Sequence, residues 1–359
     1  MKAIHLISVL LIFIYSGAFA QDETLLQNFE EEIVDSYEEF YSVSRERVYT
    51  HFNKSSYLPG DAIWFTSYVF NPKNQRTSIV TRSLHVELYG PEGELIERKV
   101  LPVIAGVASN VFTMGQDRKP GTYTFRAYTH WMQNFGEEYQ ERRPIRVLGN
   151  VESNTPSEVN EFDIQFLPES GTLLTGVDNK LGVKAMSSDG RGAPLTGKVL
   201  NGAGVTMQTF ELNHLGMGSV IIPAATEEQL RCEVTLSNGE RAYYPLPAAV
   251  ERGVVAQVSQ LRDKVLVNIA SNAHTISEPT DFYVLLHNEG EVQRIALASL
   301  DETKFGQSLE FDATQLRGGV SCVTVFNEEF KPIAERLFYV ENEGALGELD
   351  FSVDTKQDR

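Results

Sequence analysis

The chain has 359 residues, 42% of them apolar, and a formal net charge of −18. That length holds two or three domains, each with its own core. The charge repels nucleic-acid phosphates and anionic headgroups, which excludes nucleic acid as a partner and otherwise speaks only for solubility. Two cysteines are too few for a disulfide-built scaffold, and no C-x-x-C suggests redox or zinc chemistry.

Residues 1–20 carry one charged side chain, Lys2, then an apolar run Ile4 to Tyr15 and the ending Ala18-Phe19-Ala20. This pattern predicts a secretory signal peptide cut before Gln21, leaving a net charge of −19. The run is short for a membrane anchor, and no cysteine follows it for lipoprotein processing. No other run is long and apolar enough to cross a membrane as a helix, so the mature chain is expected to have no transmembrane helix.

Residues 21–44 predict an acidic amphipathic helix. Leu25, Leu26, Phe29, Ile33, Tyr37 and Phe40 recur at three- and four-residue steps, opposite Glu30, Glu31, Glu32, Asp35, Glu38 and Glu39. Such a helix packs on the first globular module that follows, or it holds a partner.

Residues 45–149 read as a first sandwich. Val48, Thr50 and Phe52 alternate with Tyr49 and His51 as in a strand. Pro59-Gly60 suits a tight turn, and Ala62–Phe70 suits a buried strand. Further strands are expected at Ser83–Tyr89, Gly106–Thr113, Gly121–Tyr128 and Pro144–Leu148, the spacing of a seven-strand sandwich. Residues 150–160 are polar, contain Pro156 and read as a linker. Residues 161–250 predict a second sandwich, with Phe162, Ile164 and Phe166 on one strand face and Leu181, Val183 and Ala185 on another. Residues 251–342 predict a third, with Val265, Val267 and Ile269 alternating and Phe282 to His287 forming a compact apolar strand. In residues 343–359, Leu349, Phe351 and Val353 alternate like an opening strand that cannot bury its face alone, so this stretch reads as the start of a truncated further module or a tail.

Several phrases resemble the N-terminal domains of the alpha-2-macroglobulin family, in the form found in Bacteroidota envelope proteins. They are Lys54-Ser55-x-Tyr57-x-Pro59-Gly60-Asp61-x-Ile63-Trp64-Phe65, Pro120-Gly121-Thr122-Tyr123-Thr124-Phe125-Arg126-Ala127-Tyr128 and Trp131-Met132-x-Asn134-Phe135-Gly136-Glu137. Phe166-Leu167-Pro168-Glu169-Ser170-Gly171 and Gly318-Gly319-Val320-Ser321-Cys322-Val323-Thr324-Val325-Phe326 extend the likeness over most of residues 45–342. The resemblance implies an all-β fold: tandem immunoglobulin/fibronectin-III-like, macroglobulin-type sandwiches after one helix. It also implies a place in the periplasm or at the outer membrane, often upstream of a TonB-receptor plug-like domain. The partners implied are other envelope proteins, an outer-membrane barrel among them, or proteases if the chain acts as an inhibitor. The thioester phrase C-G-E-Q is missing, since Cys232 precedes Glu-Val-Thr and Cys322 precedes Val-Thr-Val. Covalent protease trapping therefore cannot reside in these residues.

Signals for chemistry are sparse. His51, His85, His130, His214, His274 and His287 form no H-E-x-x-H or H-x-H pattern. There is no G-x-S-x-G elbow and no EF-hand loop. Gly202-Ala203-Gly204 and Gly216-Met217-Gly218 open no helix and read as turns, not phosphate loops. A glycosidase needs two acids across a cleft, and nothing selects two from 49. Trp64 is expected in the core and Trp131 beside a loop; as an exposed pair they would offer a sugar platform. Cys232 and Cys322 are expected as unpaired buried residues in separate modules. The reading is therefore a non-enzymatic binding or spacing protein with no catalytic residue, cofactor or metal, with a protease inhibitor and a carbohydrate-active enzyme as alternatives.

Overall fold

A computed structural model describes residues 24–149 and 162–341, apart from 188–189, 225–228, 236–238, 240 and 289. The expected signal peptide, linker 150–160 and tail 343–359 lie outside the described residues. The chain divides into two compact units. One holds the first sandwich, residues 39–157; the other holds the helix to Glu38 with the second and third sandwiches.

The three sandwiches repeat one topology. Counting strands of five or more residues, each has seven among the described residues. The first, second and fifth strands in chain order form one sheet, and the fourth, third, sixth and seventh form the other. In the first sandwich the three-stranded sheet joins Arg47–Phe52, Ala62–Asn71 and Val107–Thr113. Its four-stranded sheet runs Leu95–Pro102, Ser83–Tyr89, Gly121–Tyr128, Glu141–Val147. In the third the corresponding sheets are Val255–Leu261, Lys264–Ala270 and Gly306–Asp312, and Glu291–Leu300, Thr280–Asn288, Gly319–Phe326 and Pro332–Val340.

Each sandwich closes over its own core, because alternate residues of each strand point inward. Ile63, Phe65, Leu84, Val86, Phe112 and Phe125 centre the first core. Leu181, Val183, Val199, Ile222, Cys232 and Val234 centre the second, and Val265, Val267, Val284, Leu286, Val323 and Val325 the third. Phe65, Phe112 and Phe125 pack ring against ring at 5.1–6.3 Å, arrangements worth about 0.5–1.5 kcal/mol per pair beyond burial.

The paired phrase around Pro59-Gly60 folds as expected at both ends. Arg47–Phe52 pairs antiparallel with Ala62–Asn71, Phe52 lying opposite Phe65. Asp61 N–H donates to Leu58 C=O, and Gly60 takes φ +90°, the turn that Pro-Gly favours. The connection is more than a turn: Ser56–Tyr57 crosses to pair in parallel with Arg146–Val147 of the other sheet and buries Tyr57. Leu95–Pro102 is a strand that its polar sequence conceals: Glu97 and Arg98 are exposed at the sheet edge, and Lys99 is half-buried, its Nζ donating to Val111 C=O at 2.6 Å. Gly216 confirms its role as a turn glycine. Its φ is +70°, and a Cβ there would lie 2.0 Å from Ala185 O.

The second and third sandwiches are tied by buried polar groups. Asn272 Nδ2 donates to the carbonyls of Thr175 (2.8 Å) and Glu251 (2.9 Å). Glu169, its side chain almost fully covered, accepts from Val258 N–H and from Arg336 Nε at 3.0 Å.

The helix covers residues 24–40 and contains a π-helical turn at Glu30–Val34, with Asp35 N–H donating to Glu30 C=O. The wider turn admits one extra residue. That residue brings Val34, absent from the expected stripe, into the buried face beside Ile33. Phe40, expected on the stripe, is instead exposed. The helix, expected on the first module that follows, has its packing partner within its own unit, on the third sandwich. Phe29 is fully buried on the outer face of the four-stranded sheet of the third. Its ring stacks on Tyr283 at 4.9 Å and meets Phe326 and Phe330 edge-on at 5.2 and 5.5 Å.

Candidate functional site

Two surfaces carry features that the cores do not need. The first is the outer face of the three-stranded sheet in the first sandwich. Tyr49 and Tyr68 lie opposite each other across the ladder, and Trp64 lies four residues from Tyr68 on the same strand face. Trp64 is therefore not a core residue. Its neighbours Ile63 and Phe65 take the inward positions, and the alternation leaves the indole 57% exposed. Arg143 stacks over Tyr49, its guanidinium carbon 5.5 Å from the ring centre. Trp64 also borders a shallow pocket of about 290 Å³ with His51, Asn53, Thr66, Ser109 and Asn110. Trp131, far from this face in sequence, is partly exposed and tethered, donating from Nε1 to Ser44 C=O at 2.7 Å. It lines a different pocket with Glu46, Arg82 and His130. The two tryptophans thus share neither pocket. The Glu46 carboxylate beside Trp131 is already held by Ser78, Thr81 and Thr129 hydroxyls.

The second surface lies at the end of the helix on the third sandwich. His287 stands directly opposite Cys322 on neighbouring strands, and Glu335 stands opposite Thr324 on the next. One ligand atom from each of His287, Cys322 and Glu335 lies within 4.8 Å of the others. Among the described residues this is the group of three whose donors could share a metal ion. The Cys322 thiol donates to Glu335 Oε1 at 3.2 Å. The His287 ring bridges Tyr37 Oη at Nδ1 and Thr324 Oγ1 at Nε2, both at 2.9 Å. Tyr37 Oη also accepts from Gly290 N–H at 3.1 Å. Burial under the helix pulls the His287 imidazole below its ordinary value of 6.5, against the opposing charge of Glu335, so the neutral ring is favoured. Burial, and then the carboxylate of Glu335, push the Cys322 thiol up to about 12.

The remaining candidates have structural settings. Cys232 is buried and unpaired in the second core, Cys322 likewise unpaired in the third sandwich. His85 stacks on Tyr128, His274 pairs with Glu251 at 3.2 Å, and His214 is an exposed turn residue. Gly202 and Gly204 sit in a turn closed by Gly204 N–H donating to Asn201 C=O. Sequence reading had no means of joining His287, Cys322 and Glu335. They are 35 and 13 residues apart, and only the strand register makes them neighbours.

No family model matches the chain, and no curated protein matches it. Solved structures with partial likeness include Escherichia coli alpha-2-macroglobulin, at 12% identity and TM-score 0.26 over 83% of this chain and 22% of that one. Another is dimeric latent PorU from Porphyromonas gingivalis, at 11% identity and TM-score 0.37 over 82% of this chain and 34% of that one. A third is the BSP domain of a biofilm-associated protein, at 13% identity and TM-score 0.27 over 87% of this chain and 70% of that one. The chain spans about a fifth to a third of the length of the first two. At this level of superposition these likenesses assign it neither an activity nor a partner. No helix among the described residues is long and apolar enough to cross a membrane.

Proposed function

We propose that this chain is part of an exported, non-enzymatic cell-envelope protein whose macroglobulin-like sandwiches bind or space partner proteins in the periplasm or at the outer membrane. The observation that carries the reading is the exposed row of Tyr49, Trp64 and Tyr68 on one sheet face. Trp, Tyr and Arg are enriched among the residues that dominate interface energetics, and Trp and Tyr bury large areas at low entropic cost. Here Arg143 stands beside the tyrosine at one end of the row. Three copies of one sandwich in series suit a spacer. In the fuller form of the reading, the protein continues into a TonB-receptor plug-like domain and its partner is an outer-membrane barrel.

The test is crosslinked pulldown of the full-length protein from intact cells, with and without Trp64→Ala. Recovery of an outer-membrane protein that the variant loses supports the reading. Recovery of secreted proteases alone would turn it toward inhibition of the alpha-2-macroglobulin kind. Retention of a soluble glycan that Trp64→Ala abolishes, with no protein recovered, would turn it toward carbohydrate recognition.

A further inference from the structure

We propose that His287, Cys322 and Glu335 form a binding site for a divalent cation of the zinc type, with Tyr37 of the helix fixing the imidazole from behind. The donor set selects the metal class. Calcium and magnesium take oxygen ligands throughout, whereas an imidazole nitrogen, a thiolate sulfur and a carboxylate oxygen together are ligands that zinc accepts. Three protein donors leave the fourth tetrahedral position to water.

The geometry is close to what the ion requires. Bonds of about 2.0 Å to nitrogen and oxygen and about 2.3 Å to sulfur set tetrahedral donors about 3.3–3.5 Å apart. The sulfur and carboxylate oxygen are already 3.2 Å apart, and all three donors fall within 4.8 Å. Side-chain rotation has then to bring the imidazole nitrogen in from a distance of at most 4.8 Å. Thr324 Oγ1 identifies the coordinating nitrogen. It lies 2.9 Å from His287 Nε2 and 3.9 Å from Cys322 Sγ, a hydroxyl that both share, and Nε2 is assigned as the coordinating nitrogen on that ground.

That leaves Nδ1 against Tyr37 Oη, and metal-binding histidines are characteristically held through their other nitrogen in this way. Glu335 is exposed while Cys322 is buried, so the ion enters from the carboxylate side. On binding, the thiol proton passes to solvent and the sulfur coordinates as thiolate. The site lies on the third sandwich and owes nothing to the aromatic face of the first.

The experiment titrates the untagged chain with Co²⁺ and follows the thiolate-to-cobalt absorption, then displaces it with Zn²⁺. The expected result is one equivalent bound with a sulfur charge-transfer band, and no band in Cys322→Ser. Glu335→Gln changes an exposed side chain and keeps the fold, and it should weaken affinity at least tenfold. Tyr37→Phe should weaken it about 10–100-fold while leaving the band in place. Absence of the band in the wild-type chain overturns the proposal, as does one-equivalent Zn²⁺ binding that survives both Cys322→Ser and Glu335→Gln unchanged.

Discussion

The same sheet face is finished in two different ways in the first and third sandwiches. In the first, the outer face of the four-stranded sheet carries His85, Glu87 and Tyr89 beside Arg98, Arg126 and Tyr128. The Glu87 carboxylate is shut off from solvent by these neighbours. It accepts from Tyr89 Oη (2.7 Å), Tyr128 Oη (2.9 Å) and Arg98 Nε (2.8 Å). The second sandwich does likewise around Glu233, with Tyr243 Oη at 2.9 Å and Arg241 and Lys198 close by. In the third, Tyr283, Leu285, Ile295, Leu297 and Phe326 occupy the face, and only another element can cover them. The helix does so, some 250 residues before these strands in the chain. An amphipathic helix goes where an apolar face is open, and nearness in sequence does not decide it.

The largest test of that contrast is Phe29→Ala. Removing a fully buried phenylalanine costs about 3–5 kcal/mol. The substitution should strip hydrogen-exchange protection from the helix and from Thr280–Asn288 while leaving the strands of the first sandwich as they were. Equal loss of protection in both would show that the helix is not a local cover.

Glu87→Gln is the converse change in the first sandwich. Bonds to a charged acceptor are worth about 1.5–3 kcal/mol, and denaturant unfolding should show a loss of that order. The pH dependence sharpens the point. Burial alone would raise the Glu87 carboxyl, but the bonds from Tyr89, Tyr128 and Arg98 outweigh it and hold it below 4.5. A group lowered on folding contributes its full stability above its unfolded value and loses it as the pH falls through the folded one. The wild-type first sandwich should therefore weaken in acid below pH 4.5, and Glu87→Gln should flatten that slope.

Asn272→Ala would leave the buried carbonyl of Thr175 and the partly buried one of Glu251 short of a donor, at about 1–3 kcal/mol. The expected outcome is separate unfolding transitions for the second and third sandwiches in calorimetry. The smallest effect on stability should come from Trp64→Ala. An exposed side chain away from caps and networks changes stability by about 0.5 kcal/mol or less, so a shift well above that would mean that the indole is structural.

Much of this architecture is legible in the sequence because strand alternation is a local signal. Ser83–Tyr89 and Gly121–Tyr128 match their expected limits. The alternating sets Phe162, Ile164, Phe166 and Leu181, Val183, Ala185 fall on strands as expected, and the structure pairs them in the register Ile164–Ala185 and Phe166–Val183. What escapes is long-range. Leu95–Pro102 is hidden by its charged outer face, and Trp64 reads as core because an aromatic in an apolar run gives no sign of which side it takes. Val34 enters the helix stripe only through a π turn. The cluster at His287 depends on a strand register that no spacing rule encodes.

One apolar face is covered from within the chain, and the proposed function leaves one aromatic face for another protein. The direct measurement places a photo-crosslinkable amino acid at Phe29 or at Trp64 in the full-length protein in intact cells and sequences the crosslinked peptides. Position 29 is expected to join the chain to its own strands around Tyr283 and Phe330, and position 64 to join it to a different envelope protein. Capture of another protein from position 29, with none from position 64, would contradict both expectations.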